Sequence, residues 1–155
     1  MSIIRKATIQ DLNGINAVIK ANQLEKDACY KFPYFFGNSR DILPTKNQII
    51  FVTLVNENEI AFLSLHNNNL FEKDSEAKFE MVVHPDHRDR KKHYGENLLR
   101  HVINYAEVET NIILLVGKVL KKNIPSINLL LKCGFSCDKH VNNDGGYVMK
   151  LNINR

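Results

Sequence analysis

Residues 79–104 read FEMVVHPDHRDRKKHYGENLLRHVIN, and the rest of the chain organises around them. Phe79-Glu80-Met81-Val82-Val83 is apolar at four of five positions and is bounded by Pro85, which predicts a buried strand. From Gly95 onward, Leu98, Leu99, Val102, Ile103 and Ala106 recur at helical spacing and predict an amphipathic helix. His84 to Tyr94 lies between and carries Arg88, Arg90, Lys91 and Lys92. A loop that ends in glycine and opens a helix presents unpaired backbone N–H groups. Those groups and the helix dipole favour an anion, most simply a phosphate, and the basic side chains add long-range attraction. A solvated basic loop and a nucleic-acid contact are the competing readings of the same residues.

The wider chain narrows these choices. Its 155 residues predict one domain over 1–155, long enough to bury a sizeable core. A hydrophobic content of 44% and a charged content of 25% are ordinary for a globular protein. A net charge of +4 permits an anionic ligand without demanding nucleic acid. The opening residues contain no secretory h-region, and the longest apolar run is Ile112 to Val116, so neither export nor a membrane is expected. Cys29, Cys133 and Cys137 are odd in number and form no C-x-x-C pair, which fits free thiols in a reducing cytoplasm. His84, His87 and His93 fit no compact metal-ligand spacing, so no metal is expected.

Taken in order, Ile3 to Ala7 reads as a strand. A helix follows, with Thr8 as a possible cap, Asp11 in its first turn, and Leu12, Ile15, Val18 and Ile19 facing inward. Residues 22–48 are less regular, an irregular helical stretch in which Tyr30, Phe32, Tyr34, Phe35 and Phe36 crowd together. They read either as a hydrophobic cap on the core or as an aromatic wall for a substrate pocket. Ile49–Val55 and Ile60–Leu65 predict an antiparallel hairpin around Asn56 to Glu59, and 66–75 a polar loop. Ile112–Val119 predicts a central strand. A helix starts near Asn123-Ile124-Pro125-Ser126 and ends at Gly134, and its apolar residues Ile127, Leu129, Leu130 and Leu131 predict that it is well buried. Two closing strands, 135–141 and 147–153, flank a turn at Asn142 to Gly146.

Two separated motifs in this order resemble the GNAT superfamily of acetyl-CoA-dependent N-acetyltransferases. Val83-His84-Pro85 matches the family's Val-x-Pro strand end. Arg90 and Gly95 match its Arg/Gln-x-x-Gly-x-Gly/Ala loop, with His93 where the first glycine is expected and a slightly longer loop. Downstream, Asn123, Ser126, Leu129, Leu130, Gly134 and Phe135 keep the spacing of Asn-x-x-Ala-x-x-Leu-Tyr-x-x-x-Gly-Phe. Serine replaces the alanine, and Leu130 replaces the tyrosine.

The resemblance implies an α+β, three-layer αβα fold. Its central, mostly antiparallel sheet of six or seven strands would splay between the fourth and fifth, where acetyl-CoA enters. Backbone groups of Met81, Val82 and Val83 would pair with the pantetheine arm. N–H groups of Arg90, Lys91, Lys92, His93, Tyr94, Gly95 and Glu96 would hold the pyrophosphate, and Arg88 would join them in binding the cofactor. Asn123 and Ser126 would bind the pantetheine from the other side, although helix capping alone accounts equally for Asn123. The acceptor would be a primary amine of a small molecule or peptide, lined by 22–48 and 66–75. No nucleic acid or membrane partner is expected, and the protein would be a monomer or homodimer.

Direct attack by an amine requires a base, an oxyanion donor and departure of a thiolate. Glu80 is the candidate base, against the reading of an ordinary surface or salt-bridged glutamate. A strand N–H at Val82 or Val83 is the candidate oxyanion donor. With Leu130 in the tyrosine position, Tyr147 is the named candidate acid, and Tyr94, Ser126 and Cys133 are alternatives. The competing functional reading is a domain of the same fold that binds or senses acyl-CoA with little or no catalysis.

Overall fold

The computed structural model describes residues 1–26, 28–88, 91–138 and 146–153. Arg90 and most of the turn at Asn142 to Gly146 lie outside them. The elements run β1 (Ser2–Lys6), α1 (Leu12–Leu24), β2 (Gln48–Val55), β3 (Asn58–His66), β4 (Ser75–Val83), α2 (Tyr94–Glu109), β5 (Ile112–Leu120), α3 (Ile124–Lys132), β6 (Ser136–Asp138) and β7 (Gly146–Asn152). They form one seven-stranded sheet in the order β1-β2-β3-β4-β5-β7-β6. Every neighbouring pair is antiparallel except β4 with β5. The chain is therefore α+β with a mostly antiparallel sheet.

The β2–β3 hairpin turns on Asn56 and Glu57, with φ of 51° and 65°. Two successive positive φ values make a mirror-image turn, whose twist matches that of the strands it joins. The interior of both strands is buried on both faces, as their continuous apolar runs require. Ile15, Val18 and Ile19 of α1 pack with Ile50, Val52, Phe62 and Val82 on one face. Leu98, Leu99 and Val102 of α2 pack with Phe51, Leu63, Leu65 and Ala77 on the other. Strand alternation assigns these two sets to opposite faces, which gives the three layers.

Two expectations need correction. Among the described residues, 25–47 contain no α-helix, only a 3₁₀ turn at Ser39–Asp41. Pro33, Gly37 and Pro44 interrupt any helical run there. Nor is α3 well buried, since Leu130 alone is buried while Ile124 and Leu131 are about half exposed, at 54% and 49%. One side of that helix faces an open cleft instead of packed protein.

That cleft begins where the parallel pairing of β4 with β5 stops. Pairing of β4 with β5 runs from Ser75↔Ile112 to Lys78↔Val116 and no further. Beyond it, β4 continues to Val83 beside β3 alone, and β5 continues to Leu120 beside β7 alone. The Phe79 ring acts as a wedge at this point. It lies over Gly117, where a Cβ would come within 2.7 Å of the Phe79 Cζ, and packs 5.5 Å from the Phe135 ring.

Candidate active site

The splay opens into two joined cavities of about 460 and 610 Å³. Tyr30, Met81, Asn123, Ser126 and Leu129 line both and mark the junction. The backbone of β4 forms one wall. The His84 N–H donates to the Ile60 carbonyl at 2.8 Å, so residues 84 and 82 turn their backbone groups toward β3. Met81 and Val83 consequently turn theirs toward the gap. Of the three strand residues expected at the donor site, Val82 turns its backbone to the β3 ladder and its side chain to the α1 core, and it lines the larger cavity with Met81 and Val83.

At the outer end of this wall, Arg88 Nε donates to the Val83 carbonyl at 3.1 Å and ties the loop to the strand. His93 precedes α2 with φ 54° and ψ 32°, left-handed backbone that favours glycine. The loop thus keeps the glycine geometry at a position that lacks glycine. The first helical bond of α2 is Asn97 N–H to the His93 carbonyl at 2.9 Å. The N–H groups of Tyr94, Gly95 and Glu96 precede it and have no acceptor within the helix. A Cβ on Gly95 would sit 3.5 Å from Leu129 Cδ2, 3.6 Å from Met81 Cε and 3.7 Å from Val83 Cγ2. The missing side chain therefore leaves a notch between β4 and α3, inside the larger cavity.

Glu96 would place a carboxylate beside any phosphate bound there. It is instead engaged by Lys132 Nζ at 2.7 Å and Arg100 Nε at 3.0 Å, a bridge from α2 to α3. Lys132 first, then Arg100, hold its pKa below the ordinary glutamate value. Arg88 and His93 line the larger cavity, whereas Lys91 and Lys92 are exposed and outside its lining.

The start of α3 forms the opposite wall. Asn123 Oδ1 accepts the Ser126 N–H at 3.4 Å, so Asn123 caps the helix, and both residues also line both cavities. Capping and cavity lining coexist here.

The smaller cavity holds Glu80, whose Oε2 accepts the Tyr30 hydroxyl proton at 3.0 Å. Burial, then the Glu80 carboxylate, push the Tyr30 hydroxyl well above its ordinary pKa, so it stays protonated and donates. The crowded aromatics divide between the two roles foreseen for them. Phe32 and Phe36 are buried against Phe62, while Tyr30 reaches the cavity. Sequence reasoning missed Tyr30 as an individual residue, and its one local signal was the aromatic cluster around it. Of the 66–75 loop, only His66 lines a cavity.

Tyr147 stands apart from this group. It pairs with Val119, carries Lys121 Nζ 5.6 Å from its ring centroid, and lines neither cavity. Tyr94 lines only the larger cavity, and Cys133 is buried at the end of α3 outside both. Among the described residues no group of three or more His, Cys, Asp or Glu is placed to hold a metal ion, and no helix is long and apolar enough to cross a membrane.

The family model for the acetyltransferase (GNAT) domain matches residues 4–147 of this chain. The chain belongs to the GNAT acetyltransferase family. Solved structures share the fold of this GNAT domain. An acetyltransferase of the GNAT family from Streptococcus pneumoniae superposes with a TM-score of 0.78 at 17% identity, covering 99% of this chain and 100% of that one. The yncA protein of Salmonella typhimurium, solved with its cofactor acetyl-CoA, gives 0.77 at 17% identity, covering 99% and 95%. Spermidine N-acetyltransferase from Vibrio cholerae, in complex with CoA and spermine, gives 0.75 at 17% identity, covering 98% and 95%. No protein of curated function matches this GNAT domain by sequence.

Proposed function

We propose that this GNAT domain is an N-acetyltransferase that moves an acetyl group from acetyl-CoA to a primary amine by direct attack. The observation that carries the reading is the unpaired edge of β4. Met81 and Val83 direct backbone groups into a gap whose outer end is the helix N-terminus and glycine notch at Gly95. These features fit acetyl-CoA in kind: an extended amide arm pairs with an open strand edge, and a pyrophosphate sits on free N–H groups. Bound there, acetyl-CoA supplies an activated thioester carbonyl.

The chain's own groups would then act as follows. Met81 or Val83 N–H donates to the carbonyl oxygen as charge develops on it. Glu80, at the acceptor side of the junction, takes the amine proton directly or through water. Tyr30 holds Glu80 by its Oε2 and is a positioning residue. A departing thiol with pKa about 8.5, by analogy with cysteine, leaves without strict need of an acid. The reading accordingly assigns no proton transfer to Tyr147 or Cys133. Leu130, in the family tyrosine position, favours the second reading, a domain that binds acyl-CoA without efficient turnover.

Thermal shift with acetyl-CoA, CoA and ATP tests the donor site. At about 100 times Kd the stabilisation is roughly 2.7 kcal/mol, which raises the melting temperature by several degrees. A shift with both CoA species but not ATP is expected, and no shift at all would overturn the assignment. Release of free thiol on addition of an amine then separates enzyme from sensor. Leu130→Tyr sharpens the result, since a large gain in turnover identifies a missing acid and no change argues against one.

A further inference from the structure

We infer that the acceptor amine carries an anionic group, a carboxylate or a phosphate, held by Lys78, Lys118 and His66. The inference rests on the transferase reading and concerns the same cleft. Lys78 and Glu80 are two residues apart on β4, so they share one face and are spaced by roughly 6.6 Å along the strand. His66 lies directly across from Lys78 on β3, and Lys118 stands on β5 beyond the point of splay. All four line the smaller cavity, which makes Glu80 the one carboxylate among three basic side chains.

Four basic residues elsewhere in the fold are matched by carboxylates. Arg5 is bound to Asp11, Arg100 and Lys132 to Glu96, and Lys150 to Asp138. Among the described residues no carboxylate comes within ion-pair distance of Lys78 or Lys118. The nearby acids do not offset them in the cavity. Glu76, on the same strand face, lies outside the lining, as do Glu72 and Asp74, whereas Lys78 and Lys118, exposed as these acids are, belong to it. Unmatched cations around a concave, partly apolar site focus a positive potential into it. A second ammonium on the acceptor would meet that potential, and a carboxylate or phosphate would be drawn by it. With the reacting amine at Glu80, the anion belongs some 6–7 Å away, the strand spacing from Glu80 to Lys78.

Three five-carbon amines that differ only at the far end test this: 5-aminopentanoate, pentylamine and 1,5-diaminopentane. The expected order of kcat/KM is carboxylate, methyl, ammonium, with about a fivefold step for each, the scale of a partly exposed ion pair. The double variant Lys78→Glu with Lys118→Glu is expected to invert the ratio of 5-aminopentanoate to 1,5-diaminopentane. An aminoalkyl phosphate of equal length shows which anion fits better. A wild-type preference for the diamine, or a ratio unmoved by the double variant, overturns the subsite while leaving the transferase intact. If none of the amines is acetylated, the shift in melting temperature that each produces on the CoA-bound protein should follow the same order, and equal shifts refute the subsite. Absence of any acetyl-CoA shift instead refutes the transferase reading beneath it.

Discussion

The two cavities that meet at Tyr30 and Met81 are built by different means. The larger one is mostly backbone: an unpaired strand edge, the first N–H groups of α2, and a notch left by Gly95. The smaller one is mostly side chain: Glu80, Lys78, His66 and Lys118 from three strands, with Tyr30 from an irregular segment. Backbone recognition suits a ligand shared across a family, because it needs only a conformation. Side-chain recognition suits a ligand peculiar to one member, because each group is exchanged without disturbing the sheet.

The sharpest way to break this division is Glu80→Gln. It should lower kcat/KM by about 10²–10⁴ and leave the acetyl-CoA thermal shift intact. Loss of both together would mean the cavities are not separable, and an unchanged kcat/KM would remove Glu80 from proton transfer. Gly95→Ala should do the reverse. Its new methyl meets only ordinary contacts at 3.5–3.7 Å, so the free protein is expected to keep its melting temperature or gain slightly. The methyl fills the notch, however, and donor affinity should fall by about 1–3 kcal/mol. Unaltered acetyl-CoA binding would place the donor elsewhere.

Smaller effects refine the picture. Tyr30→Phe removes a 3.0 Å hydrogen bond to Glu80 at a site that is 40% exposed, and should cost about 1 kcal/mol, roughly a fivefold drop in kcat. If kcat holds, the hydroxyl does not position Glu80. Asp11→Asn acts outside both cavities and serves as a control. Burial raises the Asp11 carboxyl, but the Arg5 guanidinium and the Thr8 N–H outweigh it and hold its pKa below the ordinary value. A lowered folded pKa means the stabilisation is present above the unfolded value, near 3.9, and is lost as pH falls through the folded one. Asp11→Asn should therefore cost about 1 kcal/mol at neutral pH, at the low end because Arg5 is 38% exposed. The difference from wild type should vanish on acid titration, and a constant difference would deny the ion pair. His93→Gly is expected to change least. It relieves left-handed backbone but loosens the unfolded chain, so the melting temperature should move by no more than about 1 kcal/mol in equivalent stability, with acetyl-CoA binding preserved.

The larger cavity was the more legible of the two. Val83-His84-Pro85 and Gly95 announced a strand end and a helix start, and Asn123 with Pro125 announced another. His93 obscured the loop pattern only at the side-chain level, since the backbone there adopts a left-handed form that favours glycine. Which of Met81, Val82 and Val83 turn their backbone groups to the gap was not legible, because a sequence names a strand but not which residues bond inward. That follows from pairing with β3, and one position of register reverses it. The burial of α3 was overestimated because an apolar surface reads the same whether it faces protein or a ligand cleft.

By itself the sequence determined the order of the strands and of the three α-helices, and the glycine and asparagine positions where a chain must turn or cap. These are local properties, decided by periodicity and backbone conformation over a few residues. Tertiary structure alone decided that β4 and β5 part after Lys78 and Val116, that Tyr30 crosses to Glu80, and that Lys78 and Lys118 share one cavity. Tyr30 and Glu80 are 50 residues apart in the chain, and only the packing of a long irregular segment over the sheet brings them within hydrogen-bond distance.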